Sequence, residues 1–280
     1  MSPEILAACA KQYCAYKNLK LGHELGRGAF KCAYLVDANA EKIALKVAEL
    51  LAASSERLVR EAIALQSCDH PGIAQLRSAE VFMHEDKQFW VVQEEFLPGG
   101  TLELRMATGT LPAAEVLRIG ASLAEVLKHL NQRKLVHRDI KPANILFRED
   151  GISPVLTDFG LVRILDSPSL TQDFLAQGPG TPFYAAPEQL NNDKALIDWR
   201  TDQFGLSVAL AHCALGHHPF QVAGSSERDA ILAVARRESL PATTVEILGN
   251  LGLGSLCKAM SPWPIGRYRK PQDFISSFLH

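Results

Sequence analysis

Leu135-Val136-His137-Arg138-Asp139-Ile140-Lys141-Pro142-Ala143-Asn144-Ile145-Leu146-Phe147 runs as an apolar pair, a polar burst and a second apolar run. That order predicts two short buried strands flanking a loop whose polar groups face a cleft. The burst carries a carboxylate at Asp139, a cation two residues on at Lys141 and an amide at Asn144. A carboxylate orients a hydroxyl and accepts its proton, and a neighbouring lysine offsets negative charge growing on a group in transfer. An asparagine oxygen is a neutral hard ligand suited to magnesium, and Pro142 fixes the turn.

The rest of the composition bounds what such a loop can belong to. With 280 residues, 47% hydrophobic and 21% charged, the chain has the size of one large domain or of two lobes sharing a cleft. It is long enough to bury a core without staples. Its 29 basic and 31 acidic residues leave a net charge of −2, and neither sign clusters. Such a balance lacks the electrostatic footprint of a protein that binds nucleic acid or an anionic membrane, so neither partner is expected. Cys9, Cys14, Cys32, Cys68, Cys213 and Cys257 are scattered without a C-x-x-C pair, the pattern of reduced, mostly buried thiols and not of a disulfide framework. The first residues lack the basic-then-apolar order of a signal peptide, and no run reaches about 18 uninterrupted apolar residues. No membrane insertion is expected and the chain reads as cytoplasmic, although a protein exported without a cleaved signal has the same signature. Nothing speaks to oligomeric state.

Along the chain, residues 1–18 form an N-terminal extension with Ile5, Leu6, Ala8, Cys9 and Cys14 at the spacing of a short amphipathic helix. From Leu19 to Val47 the pattern turns to strands, with Asp37-Ala38-Asn39-Ala40 as a turn and Gly26 and Gly28 able to bring backbone close to phosphates. Ser54-Ser55 caps a helix that carries Glu61. Strands follow near Ala79–His84 and Gln88–Glu95, and a long helix over Ala113–Gln132 buries one face, with Pro112 at its start. Pro154–Thr157 reads as a strand ending in Asp158-Phe159-Gly160, 14 residues after Asn144. Residues 161–180 have loop composition, and residues 221–262 are mainly helical. His212, His217 and His218 lack a fourth ligand nearby and read as surface loop histidines.

His137-Arg138-Asp139 with Asn144 five residues beyond the aspartate resembles the H-R-D-x-x-x-x-N catalytic loop of protein kinases, and Lys141-Pro142 looks like the serine/threonine branch. Leu25-Gly26-Arg27-Gly28-Ala29-Phe30 resembles the family's glycine-rich loop, Ile43-Ala44-Leu45-Lys46 its lysine strand, Asp158-Phe159-Gly160 its D-F-G and Ala186-Pro187-Glu188 its A-P-E. The resemblance covers about Leu19 to Phe278. It implies an α+β bilobal protein-kinase-like fold: a small antiparallel β-sheet N-lobe (19–96) with an αC helix, and a larger, mainly helical C-lobe (97–280).

The resemblance also implies the site. Asp139 orients and deprotonates the acceptor hydroxyl, and Lys141 stabilises the moving phosphoryl group. Asn144 and Asp158 hold magnesium. Lys46, set by Glu61, anchors the α- and β-phosphates of ATP. Leu25, Gly26, Arg27, Gly28, Ala29, Phe30, Ala33, Ala44 and Leu146 line the nucleotide, and the backbone at Glu95 and Leu97 holds the adenine edge. Asp202 would hold the catalytic-loop backbone, and Arg267 would pair with buried Glu188. Ser167, Ser169 and Thr171 are candidate phosphorylation sites whose charge Arg138 would meet, while Thr181 reads as a structural contact.

Two positions depart from the family pattern. Lys31 stands where the third glycine belongs, either adding a phosphate contact or stiffening the loop and pointing outward. Glu94 stands at the gatekeeper position, usually apolar or threonine. A carboxylate facing an adenine pocket must be paired, hydrated or neutralised, unless a one-residue bulge turns it outward.

The implied activity is transfer of the ATP γ-phosphoryl group to serine or threonine of a protein, autophosphorylation included. The alternatives are a pseudokinase interaction module, to which the retained lysine and both aspartates run counter, and a small-molecule phosphotransferase of the same fold, to which the Ala-Pro-Glu block and Lys141 run counter.

Overall fold

The computed structural model describes the chain apart from residues 1–2, 29–30, 40, 51–61, 63–65, 67, 160–162, 165–181 and 280, with backbone alone at 3, 163 and 164. The chain separates into two units, Met1–Leu97 and Pro98–His280.

In the first unit, β1 (Lys20–Arg27), β2 (Lys31–Ala38), β3 (Glu41–Glu49), β4 (Leu76–His84) and β5 (Lys87–Glu95) form an antiparallel sheet in the order β1-β2-β3-β5-β4. Side chains alternate between faces with period two. Tyr34, Val36, Ile43, Leu45, Val47, Phe89 and Val91 therefore fall on one face, and Ala33, Ala44, Lys46 and Glu94 on the other. The first face is closed by helix α1 (Pro3–Tyr16), whose Leu6, Cys9, Ala10, Tyr13 and Cys14 are buried in one cluster with it. Those positions follow the i, i+3, i+4, i+7, i+8 stripe of a half-buried helix. Ala8, grouped with the apolar positions in the sequence reading, is exposed, because it lies off that stripe. Tyr13 takes its place and keeps its hydroxyl satisfied, donating to Glu80 Oε1 (2.7 Å) and accepting from Gln93 Nε2 (2.8 Å).

The second unit is built around two long helices, α3 (Ala113–Gln132) and α5 (Trp199–Leu215), with the shorter α2 (Leu102–Met106) and α4 (Pro187–Leu190) before and between them. The buried face of α3 carries Val116, Ile119, Leu123, Val126, Leu127 and Leu130. Helix α5 is buried nearly all round, as a central helix must be, and it ends at Gly216 in the left-handed region (φ 76°). Helices α6 (Glu227–Ala235), α7 (Ala242–Asn250) and α8 (Ser255–Ala259) fill the stretch expected to be helical, and α9 (Pro271–Ser276) closes the chain. Among the described residues no helix is long and apolar enough to cross a membrane.

Two short ladders position the loop on which the sequence reading turned. Strand β6 (Leu135–Val136) pairs with β9 (Arg163–Ile164), and β7 (Ile145–Phe147) with β8 (Pro154–Leu156). The loop leaves one ladder and enters the other, as the apolar–polar–apolar order predicts. The Pro98–Thr101 segment is stitched to β7: Gly99 N–H donates to Phe147 O and Phe147 N–H donates to Gly100 O, each at 3.0 Å. A Cβ on Gly99 would lie 2.2 Å from Arg148 O, so this close backbone approach requires glycine.

Candidate active site

The loop between β6 and β7 folds back on itself. A 3-10 turn at Pro142–Asn144 returns Asn144 to Asp139, and its Nδ2 donates to Asp139 O (2.8 Å) and Oδ2 (3.0 Å). Lys141 Nζ lies 2.8 Å from Oδ2 and 3.1 Å from Oδ1 of the same carboxylate. The cation and the amide of the burst thus converge on its one acid. The resulting carboxylate is oriented, largely buried and still able to accept a hydrogen bond.

The loop backbone is held from below by helix α5. Asp202, buried in its first turn, accepts from His137 N–H (2.7 Å) and Arg138 N–H (2.8 Å). Burial pushes the Asp202 carboxyl up to about 7, against the pull of those two N–H groups. His137 is fully buried and edge-on to Phe159. Its Nδ1 accepts from Asp139 N–H (3.2 Å), which leaves Nε2–H to donate to Thr157 O (3.0 Å). Gln189 Nε2 donates to Arg138 O (2.8 Å), a brace that sequence reasoning missed; its only signal is an amide one residue beyond Glu188. Arg138 sits at φ 70°, a left-handed conformation for a side-chain-bearing residue, and these bonds to its N–H and C=O hold it there.

Asn144 and Asp158 leave the β7–β8 ladder together. Thr157 N–H donates to Asn144 O at 3.0 Å, next to the Ile145–Leu156 pair, and Asp158 follows at φ 70°. With Asn144 Nδ2 occupied by Asp139, its Oδ1 remains as the acceptor. An amide oxygen and a carboxylate are both hard oxygen donors. They fit magnesium, which binds one or two protein carboxylates together with substrate phosphates and water. Leu146, between buried Ile145 and Phe147, is half-buried on the opposite side of β7.

In the first unit, Lys46 and Ala44 share one face of β3, with Ala33 directly across from Lys46. Glu94 is paired: Lys46 Nζ lies 2.6 Å from its Oε2, and the carboxylate is buried. The β3–β5 register runs unbroken from Glu49–Phe89 to Ile43–Glu95, and the bulge lies on β4 instead, between Leu76 and Ser78. Glu94 therefore does not turn outward. Glu95 is tied to Gln75 by its N–H (2.9 Å to Gln75 O) and its carboxylate (3.0 Å from Gln75 N), and Leu97 is buried. Leu25 is exposed, and Gly28 N–H donates to Lys31 O at 2.9 Å. Arg27 forms an exposed ion pair with Glu24 (2.6 Å). The Lys31 side chain folds back along Gly28, its Cγ 3.4 Å from where a Cβ would stand. Ala29, Phe30, Glu61, Ser167, Ser169, Thr171 and Thr181 lie outside the described residues.

In the second unit Glu188 and Arg267 form the expected ion pair, both fully buried, at 2.6 and 2.9 Å. Two of the three histidines are not the surface residues expected. His218 is buried, with Nε2 bonded to Phe183 O (2.9 Å), and His212 Nδ1 meets Tyr184 OH (2.9 Å). Both rings pack against Phe183, whose apolar surface draws them in, and only His217 is exposed.

The protein kinase domain family matches residues 19–277. The chain is 34% identical over 234 residues to the serine/threonine-protein kinase PknF of Mycobacterium tuberculosis, covering 80% of this chain and 46% of that protein. It is 35% identical over 230 residues to CBL-interacting protein kinase 4 of Oryza sativa subsp. japonica, covering 78% and 48%. It is 28% identical over 275 residues to the serine/threonine-protein kinase PknJ of Mycobacterium bovis, covering 92% and 44%. The chain spans about half the length of these curated relatives, and helix α1 precedes the matched range.

Proposed function

The chain belongs to the protein kinase domain family, and from that premise we propose that it transfers the γ-phosphoryl group of ATP to serine or threonine hydroxyls of protein substrates, itself included. The observation that carries the reading is the convergence of Lys141 and Asn144 on Asp139.

Asp139 accepts a hydrogen bond from the substrate hydroxyl, aims its oxygen at the γ-phosphorus and takes its proton as the new P–O bond forms. The bond from phosphorus to the bridging oxygen breaks, and ADP leaves with that electron pair. Lys141, held beside Asp139, offsets charge on the equatorial oxygens in transit. Asn144 Oδ1 and the Asp158 carboxylate would hold a magnesium ion, which would supply charge neutralisation for the nucleotide when bound. Lys46 anchors the α- and β-phosphates, Gly26 and Gly28 let backbone approach them, and the backbone of Glu95 and Leu97 receives the adenine edge. A cytoplasmic setting belongs to the proposal and is supported by the buried free thiols Cys9, Cys14, Cys32 and Cys213.

The test is intact mass after incubation with magnesium and ATP, beside Asp139→Asn. Stepwise gain of phosphoryl groups by the wild type alone, or phosphorylation of an added protein substrate by the wild type alone, is the expected result. Equal gain in both proteins, or no transfer together with no magnesium-dependent ATP binding, overturns the reading.

A further inference from the structure

The ion pair between Lys46 and Glu94 reaches across neighbouring strands. Ala44 faces Glu94 and Lys46 faces Val92 in the β3–β5 register, so Lys46 and Glu94 are diagonal neighbours on one face, a separation that two long side chains span. The small side chains of Ala33 and Ala44 directly beside them leave that face of the sheet to the ammonium and the carboxylate. The pair closes at 2.6 Å with side-chain exposures of 18% and 8%. Both residues sit on interior strands, β3 between β2 and β5, and β5 between β3 and β4. Their backbones are hydrogen-bonded on both sides, and a site built on such strands is held more tightly than one on a loop. The opposite face is sealed by α1, where Gln93 bonds Tyr13, and this commits Glu94 to the Lys46 side.

We propose that Glu94 is a positioning residue for Lys46: from within the sheet, it holds the ammonium in the orientation in which it meets the nucleotide phosphates. The proposal rests on the kinase reading, in which Lys46 anchors ATP. A charge-assisted contact between two groups largely withdrawn from water is strong and directional, and removing one partner is costly. Replacing the carboxylate by an apolar side chain removes the 2.6 Å contact that holds the ammonium from within the sheet, and misplacement of a positioning group by about 1 Å costs up to roughly a hundredfold. An amide at the same place still accepts a hydrogen bond from Lys46 and retains part of the effect.

The experiment is calorimetric binding of magnesium-ATP, with the ATP dependence of autophosphorylation measured on the same proteins: wild type, Glu94→Gln and Glu94→Met. Expected for Glu94→Met is a loss of about tenfold or more in magnesium-ATP affinity and a matching rise in KM for ATP. Glu94→Gln is expected to lose less, and the kcat of either variant to change less than its KM. Near-isosteric Glu94→Gln decides the matter if Glu94→Met fails to unfold cooperatively. Wild-type-like affinity and KM, within twofold, in the folded variants overturns the role of Glu94 while leaving the kinase reading intact. A drop in kcat in proportion to the folded fraction, at unchanged KM, also overturns it. A wild type that neither binds magnesium-ATP nor transfers phosphoryl groups overturns the kinase reading and this proposal with it.

Discussion

Arg267 and Glu188, 79 residues apart in sequence, meet as a fully buried ion pair in which two guanidinium nitrogens reach the two carboxylate oxygens at 2.6 and 2.9 Å. Thr201 Oγ1 adds a donor to the carboxylate, and the carbonyls of Arg200 and Ser261 accept from the guanidinium. The pair joins the Ala-Pro-Glu block to α5 and to the turn before α9. Removing one partner strands a charge without solvent. Arg267→Met should therefore cost about 3–5 kcal/mol in urea unfolding, and Glu188→Leu/Arg267→Met together should recover part of that loss. An additive double variant would contradict it.

Asn144 donates to Asp139 through Nδ2, which leaves Oδ1 as its acceptor. Asn144→Ala should raise the magnesium concentration needed for half-maximal phosphoryl transfer by about tenfold or more and lower kcat as well, since Asp139 loses a donor. Titrating activity against free magnesium separates the two effects. Chelation of magnesium should abolish transfer in wild type and variant alike.

Burial holds His212 and His218 at about 4, below the ordinary histidine value. The unfolded chain takes up a proton at each near 6.5, so between pH 6.5 and 4 the unfolded state binds more protons. Their contribution is fully present above pH 6.5 and is lost as pH falls towards 4. Asp202, raised to about 7 by burial, works in the opposite direction, losing stability as pH rises from about 4 to 7. The difference between wild type and His218→Gln in thermal unfolding isolates the histidine. That difference should shift towards the variant as pH drops from 6.5 to 4.5, and a pH-independent difference would contradict the assignment.

Helix α1 is part of the first unit's core although it precedes the matched kinase range. Leu6→Ala removes a buried side chain from the cluster with the sheet and should cost about 2–5 kcal/mol. Tyr13→Phe leaves Glu80 and Gln93 without their shared hydroxyl and should cost about 1–3 kcal/mol. A protein starting at Leu19 should lose cooperative unfolding of this unit, because the sheet face carrying Leu45, Val47, Phe89 and Val91 would meet water. Differential scanning calorimetry of the three proteins reads all of this.

What the sequence by itself determined is what local periodicity and motif spacing carry. The buried stripe of α3, the strands on either side of the loop from His137 to Asn144, the hold of Asp202 on that loop and the Glu188–Arg267 pair were all legible. Helical and strand periods declare which face is buried, and the kinase motifs keep fixed order along the chain. Tertiary structure alone decided which residues meet across strands and helices. Glu94 was ambiguous in sequence among pairing, hydration, neutralisation and outward rotation. The unbroken β3–β5 register and the helix sealing the opposite face settled it, because in a sheet of period two a single residue of slip exchanges the faces. The burial of Tyr13 in place of Ala8, of His218 against Phe183, and the brace from Gln189 to Arg138 likewise depend on partners far along the chain. Side-chain chemistry permits those contacts, but only the packed geometry selects them.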